Sequence, residues 1–225
     1  MNINEFLTKH YKLSSEESIA FIQEQEVFIN HKQAIQRQHL ERTDALSVNG
    51  VVIREAQHFS YYAFYKPRGI ECTLNPGITD NLFTILPFDE HVFPIGRLDK
   101  ESEGLLILTN DGVLYKDIAF AEKLKEKEYI VEVDRLLTRE SIQQWADGIV
   151  IKGRKTRPAL VFPLTEKSFR IILTQGVNRQ IRRMCYKLGY EVISLKRIRI
   201  TSIILGDLNP GEYRVLSKQD FDRPV

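Results

Sequence analysis

A short apolar run, Leu105-Leu106-Ile107-Leu108, constrains this chain more than any other stretch. Turn formers bound it: Gly104 on one side, Asn110-Asp111-Gly112 on the other. A run of this length between such residues reads as a buried strand. Just ahead of it stands Gly96-Arg97-Leu98-Asp99. Asp99 is therefore expected on an irregular segment that feeds directly into core structure. Such a segment can present a carboxylate into a cleft while the strand behind it stays rigid. An Asp between Leu and Lys can equally be a turn or capping residue, and this stretch alone does not choose.

At 225 residues the chain is long for one domain and short for two of average size, which fits a small domain plus a medium one. No run of about 18 apolar residues occurs, so no membrane span is expected. Asn2, Asn4 and Glu5 lack the basic-then-apolar layout of a signal peptide. Cys72 and Cys185 are far apart and fit neither a metal spacing nor a disulfide framework. The expectation is a monomeric cytoplasmic protein with no metal.

The net charge of +2 conceals an asymmetry. Residues 1–50 hold 5 Lys and Arg against 7 Asp and Glu, a balance of −2. Residues 151–200 hold 13 against 2, a balance of +11. Basic residues concentrated among apolar ones point to a surface that meets a polyanion, although a solvated basic face has the same composition.

In chain order, Ile3, Phe6 and Leu7 have helical spacing, and Ser14-x-x-Glu17 is a capping box that opens a second helix. Val27-Phe28-Ile29 reads as a strand, Asn30 to Gln33 as a turn, and Asn49-Gly50 as the turn of a hairpin between Asp44 and Ile53. Residues 54–60 read as a linker, Phe59 apart. Ser60 to Tyr65 reads as a strand that ends at Lys66-Pro67-Arg68-Gly69. Val113 to Phe120 reads as a helix and Tyr129 to Val133 as a half-buried strand. Thr138 caps a helix that Gly148 ends, with Trp145 packing on the sheet. Ile149–Ile151, Ala159–Phe162, Phe169–Leu173, Leu195–Ile200 and Glu212–Leu216 read as strands. A cation-dense turn, Lys152 to Arg157, lies between the first two. A helix after Gly176 buries Ile181, Met184, Cys185 and Leu188, and Gly189 stops it.

Gly96-Arg97-Leu98-Asp99, then Gly104-Leu105-Leu106, then Thr109-Asn110-Asp111-Gly112 resembles the signature of the RsuA/RluB/RluE/RluF-type rRNA pseudouridine synthases. Ser102 stands where the family usually has Thr, which keeps a hydroxyl. Tyr65-Lys66-Pro67-Arg68-Gly69 resembles the family's first motif, and Lys127-Glu128-Tyr129 the motif whose tyrosine lines the site. Asn178-Arg179-Gln180-Ile181-Arg182-Arg183-Met184 resembles the third motif. Gln175-Gly176-Val177 replaces the Glu-Gly-Lys of many members and, with Cys185 to Val192, leans towards the RluF branch.

What the resemblance implies is specific. Asp99 is the expected nucleophile, Arg182 its cationic partner, and Tyr129 the ring against the uracil. Arg97 is expected to fill the place of an extruded uridine. Lys66, Arg68, Asn178, Arg179, Gln180 and Arg183 are expected to contact RNA. The expected fold is α+β. It comprises an S4-like RNA-binding domain over residues 1–53 and a linker over 54–60. A catalytic domain over 61–225 has a mixed, mostly antiparallel sheet with flanking helices. The reaction implied, uridine to pseudouridine in RNA, most readily 23S rRNA, exchanges neither electrons nor phosphate and calls for no cofactor. The sequence offers no phosphate loop or dinucleotide fingerprint. Small-subunit rRNA or tRNA as substrate, and a non-catalytic ribosome-assembly factor, stay open. A glycosidase-like site would need two carboxylates, and only Asp99 is well placed.

Overall fold

The computed structural model describes residues 1–88, 91–119 and 124–222. The chain divides into two compact units, Met1–Phe59 and Ser60–Val225.

In the first unit, α1 (Ile3–Tyr11) and α2 (Ser15–Glu24) pack with β1 (Val27–Ile29), β2 (Lys32–Gln33), β3 (Leu46–Val48) and β4 (Val51–Arg54). The sheet order is β2-β1-β3-β4, antiparallel throughout. Both helices start at capping boxes, Asn2 with Glu5 and Ser14 with Glu17, which satisfy amides that the first turn leaves unpaired. Asn49 and Gly50 both take positive φ, as a two-residue hairpin requires. Ile3, Leu7, Ile22, Val27, Ile29 and Leu46 form the core.

The second unit is built on a mixed sheet. Its strands are β5 (Tyr61–Lys66), β6 (Phe93–Ile95), β7 (Glu103–Thr109), β8 (Lys127–Val133), β11 (Leu160–Thr165), β12 (Ser168–Leu173), β13 (Val192–Ile200), β14 (Ile203–Ile204) and β15 (Tyr213–Val215). The order is β11-β12-β8-β13-β7-β5-β15, with β6 on β7 and β14 on β13. Among the described residues, the β13–β7 pair is the one parallel strand pair. Of the cation-dense stretch, only Lys152 and Gly153 form a turn, the tip of a small hairpin between β9 (Val150–Ile151) and β10 (Arg154–Lys155), so Arg154 and Lys155 are strand residues.

Among the described residues, four α-helices flank these strands: α3 (Leu82–Ile85), α4 (Gly112–Ala119), α5 (Arg139–Asp147) and α6 (Gln180–Lys187). The sequence extends α4 to Phe120, which lies outside the described residues. The apolar run fills β7, where Leu105 to Leu108 are fully buried between β5 and β13. Val131, Val133, Phe169 and Leu195 form one core with Trp145 of α5 and Ile181, Met184 and Cys185 of α6. Trp145 stacks on Phe169 at 4.4 Å. A separate core of Tyr62, Phe64, Leu106 and Leu108 packs with Leu82 and Cys72.

Candidate active site

The segment Gly96–Ser102 leaves β6 and returns as β7. Because Ile95 pairs with Ile107, its two ends are held by the sheet. Inside it, the Ser102 amide donates to Asp99 O at 3.0 Å, and the Gly69 amide donates to Lys100 O at 2.8 Å. Leu98 is buried, which turns Asp99 outward with a quarter of its side chain exposed.

Across from it stands α6. Arg182, 13% exposed at its side chain, places Nε 4.0 Å from Asp99 Oδ2. That Nε is buried and makes no hydrogen bond. The other guanidinium nitrogens are engaged: Nη2 donates to Glu101 O at 3.0 Å and Ser102 Oγ at 3.2 Å, and Nη1 donates to Val192 O at 3.3 Å. Burial, and then repulsion by Arg179, pull the Arg182 pKa below its ordinary value. The cation is thus fixed by backbone carbonyls, while one donor is left directed at the carboxylate. Separations of this kind commonly tighten when substrate binds.

Tyr129 lies on β8 opposite Arg197 of β13, and Arg197 lies beside Gly104 of β7. The three share one row across adjacent strands. Tyr129 is half-buried and packs on the core that α6 covers, so its ring is on the α6 side of the sheet. Gly104 makes this row possible. Its φ is +103°, and a Cβ there would meet Arg197 O at 2.3 Å and Arg197 N at 2.8 Å. The glycine of the Gly-Leu-Leu motif therefore lets β13 lie against β7 at the base of the Asp99 segment.

Arg197 itself was not singled out by the sequence. It is 1% exposed, and its Nε donates to Leu105 O at 2.7 Å. Its parity with buried Leu195 is the signal that could have found it: a cation on the core face of a strand needs internal acceptors.

The expected RNA contacts divide into two groups. Arg68, Arg97, Asn178 and Arg179 are exposed and Arg183 is half-exposed. Arg97 lies 3.7 Å from Glu71, and Arg179 pairs with Glu101 at 3.0 Å. Arg183 folds back to donate to Asn178 O at 3.0 Å. Lys66 and Gln180 lie inside the fold, contrary to the contact role expected for them. Lys66 is 0% exposed and donates to Pro67 O at 2.8 Å and Ile70 O at 2.7 Å. Its ammonium holds the loop after β5, and burial pulls its pKa down to about 8. Gln180 is buried because its side-chain carbonyl accepts the Val177 amide at 3.0 Å where α6 begins.

Residues 60–187 match the RNA pseudouridylate synthase family. The chain is 39% identical to the dual-specificity RNA pseudouridine synthase RluF of Escherichia coli (strain K12), over 98% of this chain and 77% of that protein. It is 31% identical to the ribosomal large subunit pseudouridine synthase B of Bacillus subtilis (strain 168), over 80% of this chain and 77% of that one. A crystal structure of a pseudouridylate synthase superposes with a TM-score of 0.69 at 23% identity, covering 99% of this chain and 98% of that one. Fold and sequence thus point the same way.

Proposed function

The chain belongs to the RNA pseudouridylate synthase family, and from that premise we propose that it isomerises a uridine of large-subunit rRNA to pseudouridine with Asp99 as nucleophile. The observation that carries this reading is the meeting of Asp99 and Arg182 at 4.0 Å, from segments about 80 residues apart in sequence, with the carboxylate open to solvent.

The target uridine must first leave its stack, which costs about a few kcal/mol. Arg97, exposed and two residues before Asp99, enters the vacated space. Asp99 attacks C1′ as the uracil N1–C1′ bond breaks. The detached base turns, a C5–C1′ bond forms as the bond from Asp99 to C1′ breaks and frees the carboxylate, and the C5 proton is lost while N1 gains one. Atoms and electrons balance without an oxidant or a phosphate donor. Arg182 keeps Asp99 anionic and oriented, and Tyr129 stacks on the turned uracil and assists removal of the C5 proton.

The first unit, two helices on a four-stranded antiparallel sheet, is read as S4-like and as a second RNA contact. Its balance of −2 over residues 1–50 makes that contact weaker than a basic domain would give. The reading is of a monomer working on cytoplasmic RNA.

The deciding experiment is tritium release from rRNA labelled at uridine C5. Asp99→Asn is expected to fold and to bind rRNA as the wild type does, and to release no tritium. Full residual release would remove Asp99 from the nucleophile role. Mapping pseudouridines in cells with and without the gene identifies the target and separates large-subunit rRNA from small-subunit rRNA and tRNA.

A further inference from the structure

Arg182 belongs to two hollows. It faces Asp99, and it also lines a groove of about 770 Å³ that Asp99 does not line. This size is in the range of sites that hold a drug-sized group, about 300–1,000 Å³. One wall of the groove is α6. The other comprises the end of β8 with Asp134 and Arg135, the Ile151–Lys152 corner of the β9 hairpin, and the approach to β13.

Its charge is one-sided. Arg135, Lys152, Arg179, Arg182, Arg183 and Lys187 line it, against Asp134 and Glu191. Asp134 is already occupied, by Arg135 at 2.8 Å and by the Glu191 amide at 2.8 Å. Among the described residues, Lys152 and Lys187 have no acidic partner. A groove with this surplus suits a polyanion.

Between these cations stands Tyr186. Its residue is 80% exposed, and among the described residues its ring and hydroxyl have no partner. It follows Arg182 by four positions, so the two lie on one face of α6, about 6 Å apart along the axis. A lone exposed aromatic flanked by free lysines is the composition of a base-stacking platform with phosphate contacts on either side.

We infer that this α6 groove binds the single-stranded nucleotides flanking the target uridine, with Tyr186 stacking one base and Lys152 and Lys187 meeting the adjoining phosphates. The inference rests on the RNA reading above. It adds a subsite that the motif residues do not include, and one whose role is affinity rather than chemistry.

The test uses the full chain and an unmodified 23S rRNA transcript in equilibrium binding across a salt series. Tyr186→Ala is expected to weaken binding about 5- to 150-fold, the range for losing one stacked base. Tyr186→Phe keeps the ring and is expected to bind as the wild type does. The Lys152→Gln/Lys187→Gln pair is expected to lower the slope of log affinity against log salt by about 1.4, or about 0.7 for each single-strand phosphate contact. Wild-type affinity in Tyr186→Ala, an equal loss in Tyr186→Phe, or an unchanged slope in the lysine pair overturns the groove. Tritium release by the wild type on the same transcript judges the isomerase reading separately. Turnover with wild-type binding in these variants removes the groove alone, and absence of turnover removes the isomerase reading whatever the groove does.

Discussion

Arg182 carries its charge where charge is expensive, in a nearly closed space between α6 and the Asp99 segment. Three acceptors on two elements hold it there: Glu101 O, Ser102 Oγ and Val192 O. Lysine has the charge but not the planar fork that reaches all three. Arg182→Lys is therefore expected to lower kcat about 100-fold with little change in KM, because a misplacement of about 1 Å at a reacting group has that effect. Steady-state kinetics on rRNA checks this, and a change confined to KM would count against it. Lys66 and Lys127 give the molecule a second signature. Burial pulls both pKa values to about 8 from an ordinary 10.5, and Arg197 adds repulsion at Lys127. Below pH 8 the folded and unfolded chains both hold these protons, so the cost of burial is constant. Between about 8 and 10.5 the unfolded chain holds more protons, so stability rises with pH. Urea midpoints of the wild type are expected to rise relative to Lys66→Met/Lys127→Met from pH 8 to pH 10. Parallel curves would show that the two lysines titrate normally.

Among the elements, the β7–β13 pair matters most, and it depends on one missing side chain. A methyl at Gly104 would overlap the Arg197 backbone, and its φ of +103° disfavours any other residue. Gly104→Ala is expected to destabilise the second unit by about 2–4 kcal/mol, the sum of overpacking and backbone strain. It should also displace the Asp99 segment, so activity falls further than stability. Urea unfolding and tritium release measure the two effects. The contrast is α5, remote from Asp99 in sequence, where the Thr138 hydroxyl caps the Ser141 amide at 3.0 Å. Thr138→Ala is expected to cost about 1 kcal/mol and to leave kcat alone. Elements closed by local chemistry were legible: the capping box at Ser14, the cap at Thr138, the Asn49-Gly50 hairpin and the Gly189 stop all read directly from neighbouring residues. The parallel pairing of β7 with β13 was not, because no local signal links residues some 90 positions apart.

On the scale of the whole molecule, each unit has its own buried core, Ile3, Leu7 and Leu46 in one and Trp145, Phe169 and Ile181 in the other. A chain reduced to residues 60–225 is therefore expected to unfold cooperatively by itself and to retain kcat on rRNA, with KM raised by loss of the first unit's RNA contact. Circular dichroism and kinetics on the truncated chain check both parts. An unchanged KM would remove the first unit from substrate binding.

The sequence by itself determined the buried strand of β7 and the local helices and hairpins, whereas Asp99, Tyr129 and Arg182 were expected as a set only through the family resemblance. The local signals reside in short spacings, caps and turn formers, which act through the nearest neighbours in the chain. Only the tertiary structure decided which polar and aromatic side chains face solvent. Arg197 turns inward because Leu105 O waits for it across the fold, Lys66 and Gln180 are buried with partners a few residues away, and Tyr186 is left outside with none. Burial is a property of what packs against a residue, and the elements that cover the three buried ones come together only on folding.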